Sequence, residues 1–360
     1  MYRDTINGIT QMLITKDQIG KEIIYFIQIS NGVLEAGAFR EAYNGSKVFK
    51  IEKHYDKIEL VTQNAFFYFD KNNALSKVAN ANVSEGIMAS LKIAAQDEEK
   101  GLYLIKSDDL FLKETFEQIK APNFPRQSPF AFKTGALSKE KTKIKTIKNY
   151  PENLNINSHY VYSNSNILNS GSNAVTDGRN VTIKVEHSLI AMPENDDQPR
   201  YDDPKVGYFL TQVTDMTSTS PTPYRDLVHR WNLVKKDASQ AISEPVQPIV
   251  WWIENMTSLE FRETIREAVL EWNAPFETAG FKNAMVVKVQ PDDADWDAGD
   301  IRYNVLRWTS SPRRPFGGYG PSFVNPRTSE ISGTDIMLEY SFHTSRILYD
   351  DLFSLTRIAN

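Results

Sequence analysis

"PIVWWIENMTSLEFRETIREAVLEWNAPFETAGFKNAMVVKV" (Pro248–Val289) decides how the chain divides. Its opening run "IVWWIE" is short and apolar and reads as a strand. Thr257 and Glu260 have the spacing of a capping box, so a helix is expected to begin there. Phe261, Ile265, Ala268, Val269, Trp272, Phe276 and Ala279 recur at helical spacing and form one wide apolar stripe for packing on a sheet. Pro275 is expected to kink the last turns, and Gly280 is a natural stop. "NAMVVKV" resumes as a strand, followed by "IRYNVLRW" (Ile301–Trp308). Strand, helix over Thr257–Ala279 and strand is a common opening for an α/β unit.

Upstream the pattern is different. "EIIYFIQIS" (Glu22–Ser30), "KVFKIEK" (Lys47–Lys53), "KIELVT" (Lys57–Thr62) and "AFFYFD" (Ala65–Asp70) are short β-rich runs, with turn residues such as "NGS" and "DKNN" between them. In "GIMASLKIAAQ", Ile87, Ala89, Leu91, Ile93 and Ala95 alternate with period 2, and "DEEKG" then turns the chain into "LYLIK", a hairpin signature. "SDDLFLKETFEQI" is the one candidate helix in this half, with Ser107 as N-cap. Three prolines in "KAPNFPRQSPF" break regular structure. The Lys-rich stretch after it reads as a solvated face, and "SNSNILNSGSNAVTDGRN" as a polar loop. "VTIKVEHSLIAM" returns as a strand. "VGYFLTQVTD" and "YRDLVHRWNLVKK" read as further strands. The reading is therefore α+β: a β-rich domain over residues 1–192, a connector with strands over 193–247, and a mixed-sheet α/β domain over 248–360.

Composition narrows the chemistry. A hydrophobic fraction of 41% and a charged fraction of 24% are those of a globular protein. The net charge of −5 gives no broad attraction to nucleic acid, so no nucleic-acid partner is expected. The chain has no cysteine, which removes disulfides, thiolate metal ligands and a Cys nucleophile. No run approaches the about 18 apolar residues of a membrane span, and the first residues have no signal-peptide pattern, so localisation is not legible from the residues.

Few residues advertise catalysis. His54, His159, His187, His229 and His343 are scattered, with no pair at metal-ligand spacing. There is no nucleophile elbow and no phosphate loop; "FGGYGPS" (Phe316–Ser322) is Gly-rich but has no Lys. Asp293, Asp295 and Asp297 imitate the start of a calcium loop, yet Ala298 and Asn304 stand where Gly and Glu are needed, so a solvated acidic loop is the simpler reading. The most informative stretch is "GGYGPSFVNPRTSEISGTDIMLEY". Asn325-Pro326 suits a type I turn between strands Tyr319–Val324 and Ile331–Tyr340. Pro321 cannot donate to a ladder, which makes the first of these an edge strand to which a peptide could be added.

Several segments in order resemble a family of bacterial zinc-dependent metalloproteases of metzincin type. They are "HSLIAMPENDDQPRYDDPKVGYF" (His187–Phe209), "HRWNLVKKDASQAISEPVQPIVWWIE" (His229–Glu254), "EWNAPFETAGFKNA" (Glu271–Ala284), "DWDAGDIRYNVLRW" (Asp295–Trp308) and "GPSFVNPRTSEISGTDI" (Gly320–Ile336). The resemblance implies an accessory β-rich domain ahead of a catalytic domain, with Tyr319, Gly320, Pro321, Ser322, Phe323 and Val324 as the rim strand that binds a peptide or protein substrate. It also implies zinc as cofactor of the full-length protein and an extracellular or periplasmic location. The sequence departs from the family at Asn325, where Asp is usual, and at Ser329, where Gly is usual. It also lacks H-E-x-x-H, the helix motif that holds zinc and its general base; His343 is followed by Thr344 rather than Glu. The expectation is the N-terminal portion of a zinc metalloendopeptidase, inactive alone and partnered by the rest of its catalytic domain. Its alternative is a non-enzymatic β-rich surface protein that binds polysaccharide or a protein partner.

Overall fold

The computed structural model describes residues 1–122, 126–194 and 197–358. Pro125 of the expected proline break, and Asn195 and Asp196 of the expected connector, lie outside the described residues. The chain forms two compact units: Met1–His229 with Asn325–Ser329, and Arg230–Val324 with Glu330–Asn360. The division falls inside the expected connector.

The first unit contains β1 (Tyr2–Arg3), β2 (Thr10–Thr15), β3 (Glu22–Asn31), β4 (Ala42–His54), β5 (Lys57–Gln63), β6 (Phe67–Tyr68), β7 (Gly86–Asp97) and β8 (Leu102–Lys106). A single helical turn, α1 (Asp108–Phe111), precedes β9 (Ala136–Leu137), β10 (Lys143–Asn149), β11 (Asn153–Ser163), β12 (Asn180–Ala191), β13 (Leu210–Thr211), β14 (Thr214–Asp215) and β15 (Leu227–Val228). Ten strands run in the order β1-β2-β8-β7-β5-β4-β3-β12-β11-β10, with β9 added to β11. All the neighbours are antiparallel. The sheet curls until its edges meet: the Arg3 guanidinium on β1 donates to the carbonyls of Ile144 and Lys145 on β10, at 3.0 and 3.1 Å. The "NGS" expected to turn the chain lies inside β4, where a register shift opposite Ile27/Gln28 is absorbed by Gly45 at φ +139°, a conformation open to glycine alone.

Long strands on a curled sheet enclose an interior that side chains have to fill. Tyr25, Phe49, Phe111, Phe116, Tyr160 and Tyr162 fill it, all at most 1% exposed. At the centre, the His187 imidazole receives two tyrosines: the Tyr25 hydroxyl lies 2.8 Å from Nδ1 and the Tyr160 hydroxyl 3.3 Å from Nε2. Tyr160 spends its one proton on the carbonyl of Lys113, 2.8 Å away. Its oxygen therefore accepts from Nε2–H, which leaves Nδ1 bare to accept from Tyr25. One neutral tautomer satisfies every polar atom in the cluster. Phe116 stacks on Tyr25 with ring centroids 4.5 Å apart, and Phe111 meets His187 edge-on at 5.3 Å. The segment after α1 thus plugs the sheet, and the Lys47 ammonium holds it by the Glu117 carboxylate at 2.7 Å.

The second unit contains β16 (Ile249–Ile253), α2 (Leu259–Leu270), α3 (Asn273–Thr278), β17 (Met285–Val289), β18 (Asn304–Thr309), β19 (Gly318–Tyr319), β20 (Ser322–Val324), β21 (Ile331–Glu339) and α4 (Tyr340–Ile358). Strands β17-β16-β18-β21 are parallel, while β19 and β20 run antiparallel on the outer side of β21. Ile265, Val269 and Phe276 of the predicted stripe pack on Ile249, Trp251, Ile253, Met285 and Val287.

The α+β expectation is overturned. Strands make up 38% of the described residues and helices 14%, and the curled antiparallel sheet dominates. The single helix expected over Thr257–Ala279 starts later and breaks after Leu270. A Pro275 ring cannot share a helix with the carbonyl of residue 271, and the Asn273 side chain instead bonds the backbone of Met285 through both its oxygen and its nitrogen, at 2.8 and 3.0 Å. Where a helix was expected over Ser107–Ile119, only the single turn of α1 forms, because the residues after it are the plug.

Burial pushes the His187 pKa down to about 3, against an ordinary value near 6.5. The unfolded chain binds this proton first, so stability is complete above about pH 6.5 and is lost as the pH falls from there toward 3. Urea midpoints at pH 7.5, 6.5 and 5.5 are expected to fall for the native chain relative to His187→Gln, the gap approaching about 1.4 kcal/mol per pH unit. Parallel curves for the two proteins would contradict the buried neutral imidazole.

Candidate functional site

The residues expected at the substrate rim do form the outermost strand of the second unit's sheet. Gly318 and Tyr319 pair with Leu338 and Met337, and Ser322 and Phe323 pair with Thr334 and Gly333. Pro321 separates the two pieces, and its carbonyl accepts the Thr334 hydroxyl at 2.7 Å. Phe323 is buried and anchors the strand; Tyr319, Ser322 and Val324 are half-buried and Gly320 is exposed. The Glu339 amide donates to the Gly317 carbonyl at 3.1 Å. In an antiparallel ladder alternate residues bond inward, so Gly317 and Tyr319 face β21 while the amides and carbonyls of Gly318, Gly320 and Ser322 face away from it.

Charged residues collect on and just after the parallel strands β16, β18 and β21, and these were not singled out from the sequence. The Arg307 guanidinium lies 3.4 Å from the Glu254 carboxylate and 3.9 Å from that of Asp335. Glu339 is fully buried: one carboxylate oxygen accepts from the Ser311 and Ser341 amides and the Ser341 hydroxyl, while the other has no partner among the described residues. The signal was available as Glu254 closing the apolar run of β16 and Glu339 following the apolar Ile336–Leu338 at the end of β21. Next to them the ring of Trp308 stacks on Phe261 and meets His343 edge-on.

The histidines stay apart: His54 ends β4, His159 lies on β11, His187 on β12, His229 follows β15 and His343 opens α4. His229 Nε2 is 3.1 Å from the Thr211 hydroxyl, and burial lowers its pKa. In the acidic loop, Asp297 accepts the Gly299 amide and Asp300 holds Arg302 in a two-point ion pair. Among the described residues no three His, Asp or Glu side chains converge as a metal group.

The turn after the rim differs from the type I turn expected at Asn325-Pro326. The Ser329 amide donates to the Asn325 carbonyl at 2.8 Å, a wider loop closed over five residues. Arg327 forks onto the Glu22 carboxylate at 2.8 and 3.2 Å. Ser329 has φ +61° and is fully buried, and its hydroxyl has no partner among the described residues.

The chain belongs to the family described as Domain of unknown function DUF5117, whose model matches residues 41–236, more than half of the chain. The match spans β4 to β15 of the first unit and a few residues of the second. No curated protein and no solved structure matches the chain.

Left-handed backbone costs a non-glycine residue about 1–2 kcal/mol, and a buried unsatisfied hydroxyl adds to it. Ser329→Gly removes both and is expected to raise stability by about 1 kcal/mol in urea titration, net of glycine's greater freedom when unfolded. A loss of stability on this change would contradict the strained turn.

Proposed function

We propose that this chain is the N-terminal portion of a zinc-dependent metalloendopeptidase, and that its own contribution is to align an extended peptide along Tyr319–Val324. The observation that supports this most directly is the open edge: Gly318, Gly320 and Ser322 present unused backbone donors and acceptors in strand geometry. The five collinear segments that resemble bacterial zinc proteases supply the reaction class. Zinc enters only as the cofactor of the complete enzyme, where it would activate water for attack on a peptide carbonyl. The described residues do not form its donor set, since the histidines lie on separate elements and cysteine is absent. Peptide hydrolysis is assigned to no residue of this chain. An extracellular or periplasmic setting and a partner completing the catalytic domain belong to the same reading.

A second reading, a non-enzymatic β-rich binding protein for polysaccharide or a protein partner, draws on the first unit. A pocket of about 290 Å3 opens among Met12, Ile14, Phe49, Leu60 and Leu189 of the curled sheet, with Gln18 and Asn153 at its wall.

The two readings part on one experiment. A fluorescein-labelled heptapeptide of alternating Thr and Gln is expected to bind the chain, measured by anisotropy. Ser322→Pro removes an outward amide and should weaken binding about tenfold or more with the melting temperature unchanged. Failure to bind, or equal binding by the variant, would remove the support for peptide alignment and favour the second reading.

A further inference from the structure

We propose that the groove beside the rim strand receives an acidic side chain of the aligned peptide. This rests on the peptide-alignment reading and adds the residue type that the site selects. The groove has a volume of about 470 Å3 and lies wholly within the second unit. Arg314, Phe316 and Gly317 form one wall, from the loop that leads into β19; Phe342, Arg346 and Tyr349 form the other, from α4.

The two walls meet at Phe342. A Cβ on Gly317 would lie 2.7 Å from the Phe342 ring, so only glycine lets that ring rest against the start of the rim. The Arg314 guanidinium reaches the Ser341 carbonyl at 3.4 Å, and the Arg346 guanidinium lies 5.9 Å from the centre of the Phe342 ring. Both cations are therefore placed around one aromatic floor. Both are exposed, and neither forms an ion pair among the described residues. Among the described residues no carboxylate lines the groove; Asp350 and Asp351, next along α4, are not part of its walls. In a chain of net charge −5 this is a local excess of positive charge.

The chemistry follows from the lining. Guanidinium groups donate in a fork that matches a carboxylate, and such charge-assisted bonds are stronger than neutral ones. Phe316 and Phe342 offer rings against which the methylene stem of a Glu side chain can lie. A Lys or Arg side chain would meet like charge in the same space. Gly317 of the groove wall directly precedes Gly318, where the open edge leading into the rim begins, so a peptide held by the strand would present a side chain to the groove.

The test compares two labelled heptapeptides on the full chain, one of alternating Thr and Gln and the same peptide with Glu at its centre. The Glu peptide is expected to bind at least tenfold more tightly at low ionic strength, and its advantage to shrink as salt is added. Arg314→Gln combined with Arg346→Gln should bring the two affinities together while the affinity for the Gln peptide stays as it was. Equal affinity of the native chain for both peptides would overturn the acidic-side-chain assignment and leave the rim reading standing. A Glu advantage that survives the double variant would overturn it in the same way. If neither peptide binds, the rim reading fails and takes this proposal with it.

Discussion

Inside the curled sheet the His187 imidazole has no route to water and has to remain neutral, and its neighbours are the residues that allow this. Tyr25 and Tyr160 arrive from β3 and β11, and the Lys113 carbonyl fixes the direction of the proton chain. A buried polar group left unbonded would cost about 1–3 kcal/mol, so the cluster ties the positions of three strands and the plug to each other. Tyr162 extends the arrangement by donating to Glu114 on the same plug. The curl that brings Arg3 to β10 encloses this cluster of aromatic side chains, which pack against one another around His187.

The second unit is governed by a different constraint, the need to end a sheet. Its parallel strands are covered on one side by α2 and α3, but its last strand is antiparallel, short and split by Pro321. Proline and brevity are among the usual protections of an exposed edge against uncontrolled pairing. Here they leave a short, defined stretch of open backbone beside a groove with two arginines, which limits what can be added and where.

Much of this was legible where the cause is local. The β-rich first half, the β7–β8 hairpin and the strand–helix–strand opening at Pro248 all follow from periodicity and turn chemistry over short windows. The edge position of Tyr319–Val324 followed from one proline. The failures have long-range causes. Asn44-Gly45-Ser46 has turn composition, yet a bulge uses the same residues. The α+β reading gave one helical pattern as much weight as a set of strands whose joining into a single curled sheet depends on pairings such as β3 with β12, far apart in the chain. His187 could be placed on a strand but not matched with Tyr25 and Tyr160, because nothing in the sequence reports which strands adjoin. Arg314 and Arg346 belong to separate segments, and only the return of α4 past the rim brings them together.

The most direct measurement is amide hydrogen exchange of Gly318, Gly320 and Ser322 with and without a saturating extended peptide. Strand addition predicts that exchange at these three amides slows markedly, while Tyr319 and Phe323, already turned toward β21, change little. Unchanged exchange at all three would contradict the claim that this edge is where the protein holds a peptide.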